Sequence, residues 1–277
     1  MMLKDKVRKS LAYLQGKLDR SPQIAIVLGS GLGGLAEEVA DAIIIPVTAI
    51  PFYPMSTVPG HQGRWVIGDI SGVPVLCIQG RVHCYEGYSL QEVTYYVHLL
   101  KALGVDKLVI TTACGSLNPE YQPGDLMLIT DQINFAFKNP LIGKPTELLG
   151  PRFPDMSEAF DVEMIRVAEQ VGLDQGHAFK KGVFCWVTGP NYETAAEVRA
   201  LQKLGGDAVS MSTAPEVIVA RQRHMKVLGI SLITNLGTGL SALPLAHAEV
   251  TLVAQRAGAR LAALLKEIIP KLVLFDQ

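Results

Sequence analysis

Charge of one sign is scarce in this sequence: 25 Lys and Arg stand against 26 Asp and Glu, a formal net charge of −1. Polyanion binding rests on clustered basic residues, so nucleic acid is excluded as a partner and a small ligand is favoured. Cysteine is sparse too. Cys77, Cys84, Cys114 and Cys185 are too far apart for a C-x-x-C motif, and three of them lie in or beside apolar runs, so they read as buried reduced thiols and no metal site is expected. No apolar stretch is long enough to span a bilayer, and Met1-Met2-Leu3-Lys4-Asp5-Lys6 leads into a mixed-charge helical pattern; the expectation is a cytoplasmic protein with no membrane partner. No Ser/Gly-rich or charged linker and no internal repeat divides the 277 residues, which predicts a single domain over 1–277 built on one large core.

What is present is an alternation of short apolar runs with amphipathic segments. Strands are predicted at Ile24–Leu28, Trp65–Ile67, Val73–Ile78, Leu108–Thr112, Leu126–Thr130, Val183–Val187 and Val227–Thr234. Helices are predicted at Val7–Leu18, Leu90–Leu103, Val162–Val171, Thr194–Leu204, Pro215–Arg223 and from about Ala248 to Ile268. This order argues for an α/β fold with three layers, α/β/α, around a largely parallel sheet. Ligands collect in such folds where strands end, and most of the unusual polar residues of this chain stand at those ends.

The first strand runs straight into Gly29-Ser30-Gly31-Leu32-Gly33-Gly34, a match to G-x-G-x-x-G. A dinucleotide site also needs an acidic residue about 20 positions on, at the end of the second strand, to hold ribose hydroxyls. Here Ile43–Thr48 runs into Ala49-Ile50-Pro51 with no acid, so the dehydrogenase reading loses its partner. The turn then reads as an anion hole of backbone N–H groups at a helix N-terminus, with the Ser30 hydroxyl as an added donor; the bland alternative is a tight strand-to-helix turn.

A basic cluster follows. His61 sits in the turn Val58-Pro59-Gly60-His61, and Arg81, His83 and Tyr85 alternate after the apolar run Val73–Ile78, which on an extended segment places them on one face. A guanidinium grips phosphate through two parallel hydrogen bonds, and Glu86 is placed to hold an imidazole in one tautomer.

Taken in order, GSGLGG at Gly29, STVPGH at Ser56–His61, QGRVHCYEGY at Gln79–Tyr88, GSLNP at Gly115–Pro119, GPNYET at Gly189–Thr194, MSTAPEVIVAR at Met211–Arg221 and SLITN at Ser231–Asn235 resemble the trimeric purine nucleoside phosphorylases. Seven such strings in one order are specific where any single one is not. The resemblance implies a mixed, twisted sheet of the nucleoside phosphorylase type. It implies a reaction in which inorganic phosphate attacks C1′ of a purine nucleoside to give free base and α-pentose-1-phosphate, with no cofactor beyond phosphate as co-substrate, and a homotrimer. By similarity, Ser30, His61, Arg81, His83, the Ala113 N–H and Ser212 would bind phosphate; Tyr85, Met211 and His247 would meet the sugar, with Phe153 reaching in from a neighbouring subunit. Tyr192, Glu193, Thr234 and Asn235 would hold the base, and His83, Glu193 and Asn235 are the expected catalytic groups.

Those residue types suit the chemistry, because cleaving C1′–N9 leaves positive charge on the sugar and negative charge on the purine. The Asn235 amide near N7 and O6 favours a 6-oxopurine over adenosine, since an exocyclic amine would want an acceptor there. A polar His247 near C5′ suits a hydroxyl rather than a methylthio group. Three departures from the family pattern are Thr112-Ala113-Cys114-Gly115, Ala248 directly after the histidine, and Leu236-Gly237-Thr238-Gly239, the last of which touches Asn235. The alternatives are a 5′-methylthioadenosine-type or xanthosine-accepting phosphorylase and a non-catalytic nucleotide-binding module.

Overall fold

The computed structural model describes residues 1–58, 60–144, 149–241 and 247–274. β1 (Ile24–Leu28) is buried along its whole length, as a strand covered on both faces must be. It pairs in parallel with β4 (Val73–Gln79) on one side and β5 (Lys107–Ser116) on the other. β3 (Arg64–Ile70) returns antiparallel on β4, and β2 (Ala40–Pro46) closes that edge with a largely exposed strand.

Beyond β5 the sheet curls. β9 (Lys226–Leu236) runs parallel to β5, β6 (Leu126–Asn134) pairs antiparallel with β9, and β7 (Lys180–Trp186) lies parallel to β6. The three-residue β8 (Ala208–Ser210) joins β7 back to the end of β5. One half of the sheet is therefore open, and the other half is a closed ring of five strands with β5 common to both. Five of the nine pairings are parallel, and the mixed sheet with its covering helices matches the expected fold class.

The helices are α1 (Leu3–Gln15), α2 (Leu90–Val93), α3 (Tyr95–Ala102), α4 (Val162–Asp174), α5 (Ala195–Lys203), α6 (Ala214–Gln222) and α7 (His247–Leu274). Three of their starts are written in the sequence as Ser/Thr-x-x-Glu capping boxes: Ser89 with Glu92, Thr194 with Glu197 and Thr213 with Glu216. The helix expected over Leu90–Leu103 is broken at Thr94, whose hydroxyl turns back 2.7 Å onto the Leu90 carbonyl in place of regular helical geometry. The closing helix runs past Pro270 to Leu274, further than expected. α7 packs on α4 and β9, while α1, α3 and α6 stack in turn on the other side. Trp65, Trp186, Phe160 and Phe184 fill the core between these layers. Among the described residues no helix is long and apolar enough to cross a membrane.

Candidate active site

β1, β4, β5 and β9 are mutually parallel through β1 and β5, so their C-terminal ends release four loops on one edge of the sheet. There a cleft of about 700 Å³ opens, lined by Ser30, Arg81, His83, Tyr85, Thr112, Ala113, Cys114, Gly115, Tyr192, Glu193, Val209, Ser210, Met211, Ser212, Thr234 and Asn235.

The glycine turn enters this cleft through Ser30 alone. Two of its glycines have packing reasons: a Cβ at Gly29 would lie 2.8 Å from the Thr111 carbonyl, and Gly31 has a φ of +74° with Ala254 against it. Two of the turn's amides are also occupied internally, Gly29 N–H by Thr111 Oγ1 and Leu32 N–H by the Gly29 carbonyl. The helix whose N-terminus the turn forms, Gly33–Glu38, is a 3₁₀ helix. Gly29 and Gly31 thus serve the turn's fit between β5 and α7, and within the turn it is Ser30 that lines the cleft.

One end of the cleft is buried and cross-linked. Arg81 lies 3.1 Å from the carboxylate of Glu216 and donates to the Thr111 carbonyl at 3.2 Å. Ser212 Oγ is 3.2 Å from Thr112 Oγ1. His61 stands behind Ser30, where Gly80, with a φ of +97°, leaves room: a Cβ there would come within 2.7 Å of the His61 Cβ. The Arg81 carbonyl, 2.8 Å from His61 Nδ1, can only accept. Nδ1 therefore carries the proton, and Nε2 accepts from the Ser30 hydroxyl at 3.2 Å. Burial pushes the His61 pKa down to about 4, and the neighbouring His83 adds to the effect, so the ring is neutral near pH 7.

His83 follows the same logic. Its Nδ1 faces Glu86 Oε1 at 3.2 Å, an acceptor, which leaves Nε2 of the neutral ring as the acceptor. Burial lowers its pKa despite that carboxylate. Glu86 itself takes hydrogen bonds from the His83 N–H at 2.7 Å and from the Thr57 hydroxyl at 2.8 Å. Burial pushes its carboxyl up, but these donors outweigh it and hold the pKa at about 2. Cys84–Glu86 is a short 3₁₀ turn rather than an extended segment, yet Arg81, His83 and Tyr85 all reach the cleft. The Tyr85 ring stacks on His83 at 4.7 Å.

The other end is more open. Tyr192 is 39% exposed. Burial raises the Glu193 carboxyl above its usual range, and the neighbouring Glu197 adds to the shift. Asn235 Nδ2 donates to the Leu236 carbonyl at 3.1 Å. Thr234 Oγ1 lies 2.9 Å from Asn235 Oδ1 and 3.1 Å from the Cys114 carbonyl. The glycine at 237 does not loosen this segment: its N–H donates to the Ser116 carbonyl at 2.8 Å, and a Cβ would crowd that oxygen.

Of the residues singled out from sequence, Ser30, Arg81, His83, Tyr85, Ala113, Tyr192, Glu193, Met211, Ser212, Thr234 and Asn235 are brought together in the cleft, with His61 and Glu86 directly behind it. Phe153 is 87% exposed and lines a different cavity with Arg152 and Ile142. His247 opens α7, but its side chain lies outside the described residues. Sequence reasoning missed Val209 and Ser210, which enter through the short β8, and Cys114 and Gly115 as lining residues. It also missed Glu216 and Tyr96 beneath Arg81. The capping-box spacing from Thr213 was the one signal that marked Glu216.

Residues 23–270 match the Phosphorylase superfamily. The chain is 48% identical to purine nucleoside phosphorylase 1 of Bacillus subtilis over 96% of its own length and 98% of that protein's. It superposes with a TM-score of 0.92 and 37% identity on Schistosoma mansoni purine nucleoside phosphorylase in complex with adenosine, covering 97% of each chain. A second structure of that enzyme, in complex with inosine, gives a TM-score of 0.91 at 36% identity over 96% of this chain and 95% of that one. The order of strands, the cleft at their ends and these likenesses agree: this chain belongs to the purine nucleoside phosphorylases of the phosphorylase superfamily.

Proposed function

We propose that this chain cleaves purine nucleosides of the inosine and guanosine type, and their deoxy forms, by transferring the pentosyl group to inorganic phosphate. The observation that carries this reading is the division of one cleft into an anion-binding end, with Arg81, Ser30, Ser212 and His83, and a base-reading end, with Tyr192, Glu193 and Asn235.

Phosphate at the first end would take hydrogen bonds from Arg81, the Ser212 hydroxyl and the Ala113 N–H, and from the Ser30 hydroxyl once it turns from His61 Nε2 to the anion. The acceptor Nε2 of His83 suits a protonated phosphate oxygen, so the ring orients the nucleophile below C1′. Tyr85 and Met211 bound the space between the two ends, where the sugar belongs. As C1′–N9 breaks, an Asn235 amide N–H aimed at N7 and O6 meets charge that exists only in the transition state, an effect typically worth about 2.7–4 kcal/mol. Glu193 accepts from N1–H and fixes the ring; the Tyr192 side chain covers its face. No cofactor or metal enters this reading, phosphate being a co-substrate.

The exposed Phe153 supports assembly, since a phenyl ring left 87% in water gains by burial against a second copy, and a homotrimer would bring it to a neighbour's sugar site. The balanced charge fits a cytoplasmic enzyme of purine salvage. The test is hypoxanthine release from inosine with and without inorganic phosphate. Release that requires phosphate, with kcat/KM well above that for adenosine, is expected. Release without phosphate would make the chain a hydrolase, and no release from any purine nucleoside would leave a binding module. Equal kcat/KM for adenosine and inosine would overturn the 6-oxopurine preference.

A further inference from the structure

The three capping boxes differ in one respect. Glu92 and Glu197 are spent on their own helix starts, closing hydrogen bonds with Ser89 and Thr194 at the surface. Glu216 occupies the same position in its box but is 1% exposed. Its Oε2 accepts from the Thr213 N–H at 2.6 Å and from Arg81 Nη1 at 3.1 Å, and its Oε1 accepts from the Tyr96 hydroxyl at 2.8 Å. A cap needs only the first of these contacts. The contact with Arg81 leads into the anion end of the cleft, and Tyr96 braces the carboxylate from outside it.

Thr213 has a φ of +76°, a conformation rarely adopted by a β-branched residue, and one that persists only where neighbours over-determine it. Directly before it stands Ser212, whose hydroxyl lies 3.3 Å from Thr213 Oγ1. Arg81 is held at Nη1 by Glu216 and at Nη2 by the Thr111 carbonyl, while its Nε is buried with no hydrogen-bond partner among the described residues. One carboxylate thus fixes both the plane of the guanidinium and the backbone that presents Ser212.

We infer that Glu216, braced by Tyr96, is a positioning residue for phosphate: it aligns Arg81 and Ser212 as a pair and so sets phosphate affinity without touching the anion. This inference rests on the phosphorolytic reading above. It also makes a prediction opposite in sign to simple electrostatics. Glu216 is a negative charge one side chain away from where an anion would bind, so removing that charge alone would tighten phosphate binding. Removing an alignment weakens it.

The experiment is titration calorimetry of inorganic phosphate, with steady-state kinetics, on the full-length protein and on Glu216→Gln and Tyr96→Phe. For Glu216→Gln, phosphate Kd and KM should rise about tenfold or more while the inosine KM at saturating phosphate stays within about twofold. Tyr96→Phe, which keeps the carboxylate and removes one hydrogen bond, should raise phosphate KM about threefold. Unchanged or tighter phosphate binding in Glu216→Gln overturns the inference, as does an equal loss of phosphate and inosine affinity, the mark of a merely structural role. Should Glu216→Gln fail to fold, Tyr96→Phe decides: weaker phosphate binding upholds the inference and unchanged binding overturns it. If the unmodified protein itself binds no phosphate, both the inference and the phosphorolytic reading fall.

Discussion

The two ends of the cleft are built on different principles. The anion end is buried and tied together: Arg81 is 4% exposed, His83 6% and Ser212 8%, and each has fixed partners on other elements of the fold or in its own loop. The base end is half open, and its polar groups bond mainly to adjacent residues, as Asn235 does with Thr234 and Leu236. A small, symmetrical, charged reactant can be met by a prebuilt cage. A flat heterocycle that must enter and leave is better met by groups that are oriented but still accessible.

The contrast breaks most visibly at Arg81. Arg81→Ala is expected to lower kcat/KM for phosphate by about 10³-fold, through loss of a charge-assisted pair of hydrogen bonds. It should also cost about 3–5 kcal/mol of stability in urea titration, because Glu216 is left buried without its counter-charge. A site at the open end carries no such structural penalty. Asn235→Ala should lower kcat for inosine by about 10²-fold with stability changed by less than about 1 kcal/mol. If both variants lost stability alike, the distinction between cage and open end would fail.

Glu193 sharpens it further. Glu193→Gln should lower kcat/KM for inosine about tenfold and leave phosphate KM unchanged. Because burial raises the Glu193 pKa, its carboxylate is lost on acidification before ordinary surface carboxylates are. In the protein with Glu193, inosine KM at saturating phosphate should therefore rise as pH falls toward 5, and Glu193→Gln should flatten that limb. A raised carboxyl pKa also means the native state binds the proton more tightly than the unfolded chain, so this group favours the fold at low pH and withdraws that support as pH rises.

The last effect lies at the other end and has the opposite sign. His61 titrates at about 4 in the folded protein against about 6.5 unfolded. Between those values the unfolded chain takes up a proton that the native state does not, so stability is lost as pH falls through that window. The loss should be at most about 3 kcal/mol, and His61→Asn should reduce it in urea titrations run from pH 7 to pH 4.

Much of this was legible in the residues. β1 appears at Ile24–Leu28 as read, since an all-apolar run between Pro22 and Gly29 has one use in an α/β fold. Arg81, His83 and Tyr85 were placed together by alternation even though the chain turns at Cys84, because the turn begins only after Arg81 and His83 are set. What was not legible depends on distant parts meeting. β8 is three residues long and exists only because β5 and β7 flank it. Sequence shows the glycine density of the turn but not the Thr111 carbonyl or Ala254 that call for glycine at 29 and 31. Glu216 read as a helix start, and nothing local announces Arg81 or Tyr96 as its partners.

The closure of the five-strand ring sets the order in which the molecule can be made. β5 pairs with β9, and Arg81 with Glu216 at a separation of 135 residues. On the ribosome, the open half of the sheet and its guanidinium emerge long before the carboxylate that will neutralise it. Contacts of such long range are slow to form, since the loop must close before they contribute. Until the last third of the chain is out, a nascent β5 presents an unpaired edge to the cell. Under the proposed function, competence to bind phosphate would be acquired late, in the same event that seals this edge, and a chain truncated before β9 is expected to be recognised as an aggregation hazard rather than as a weak enzyme.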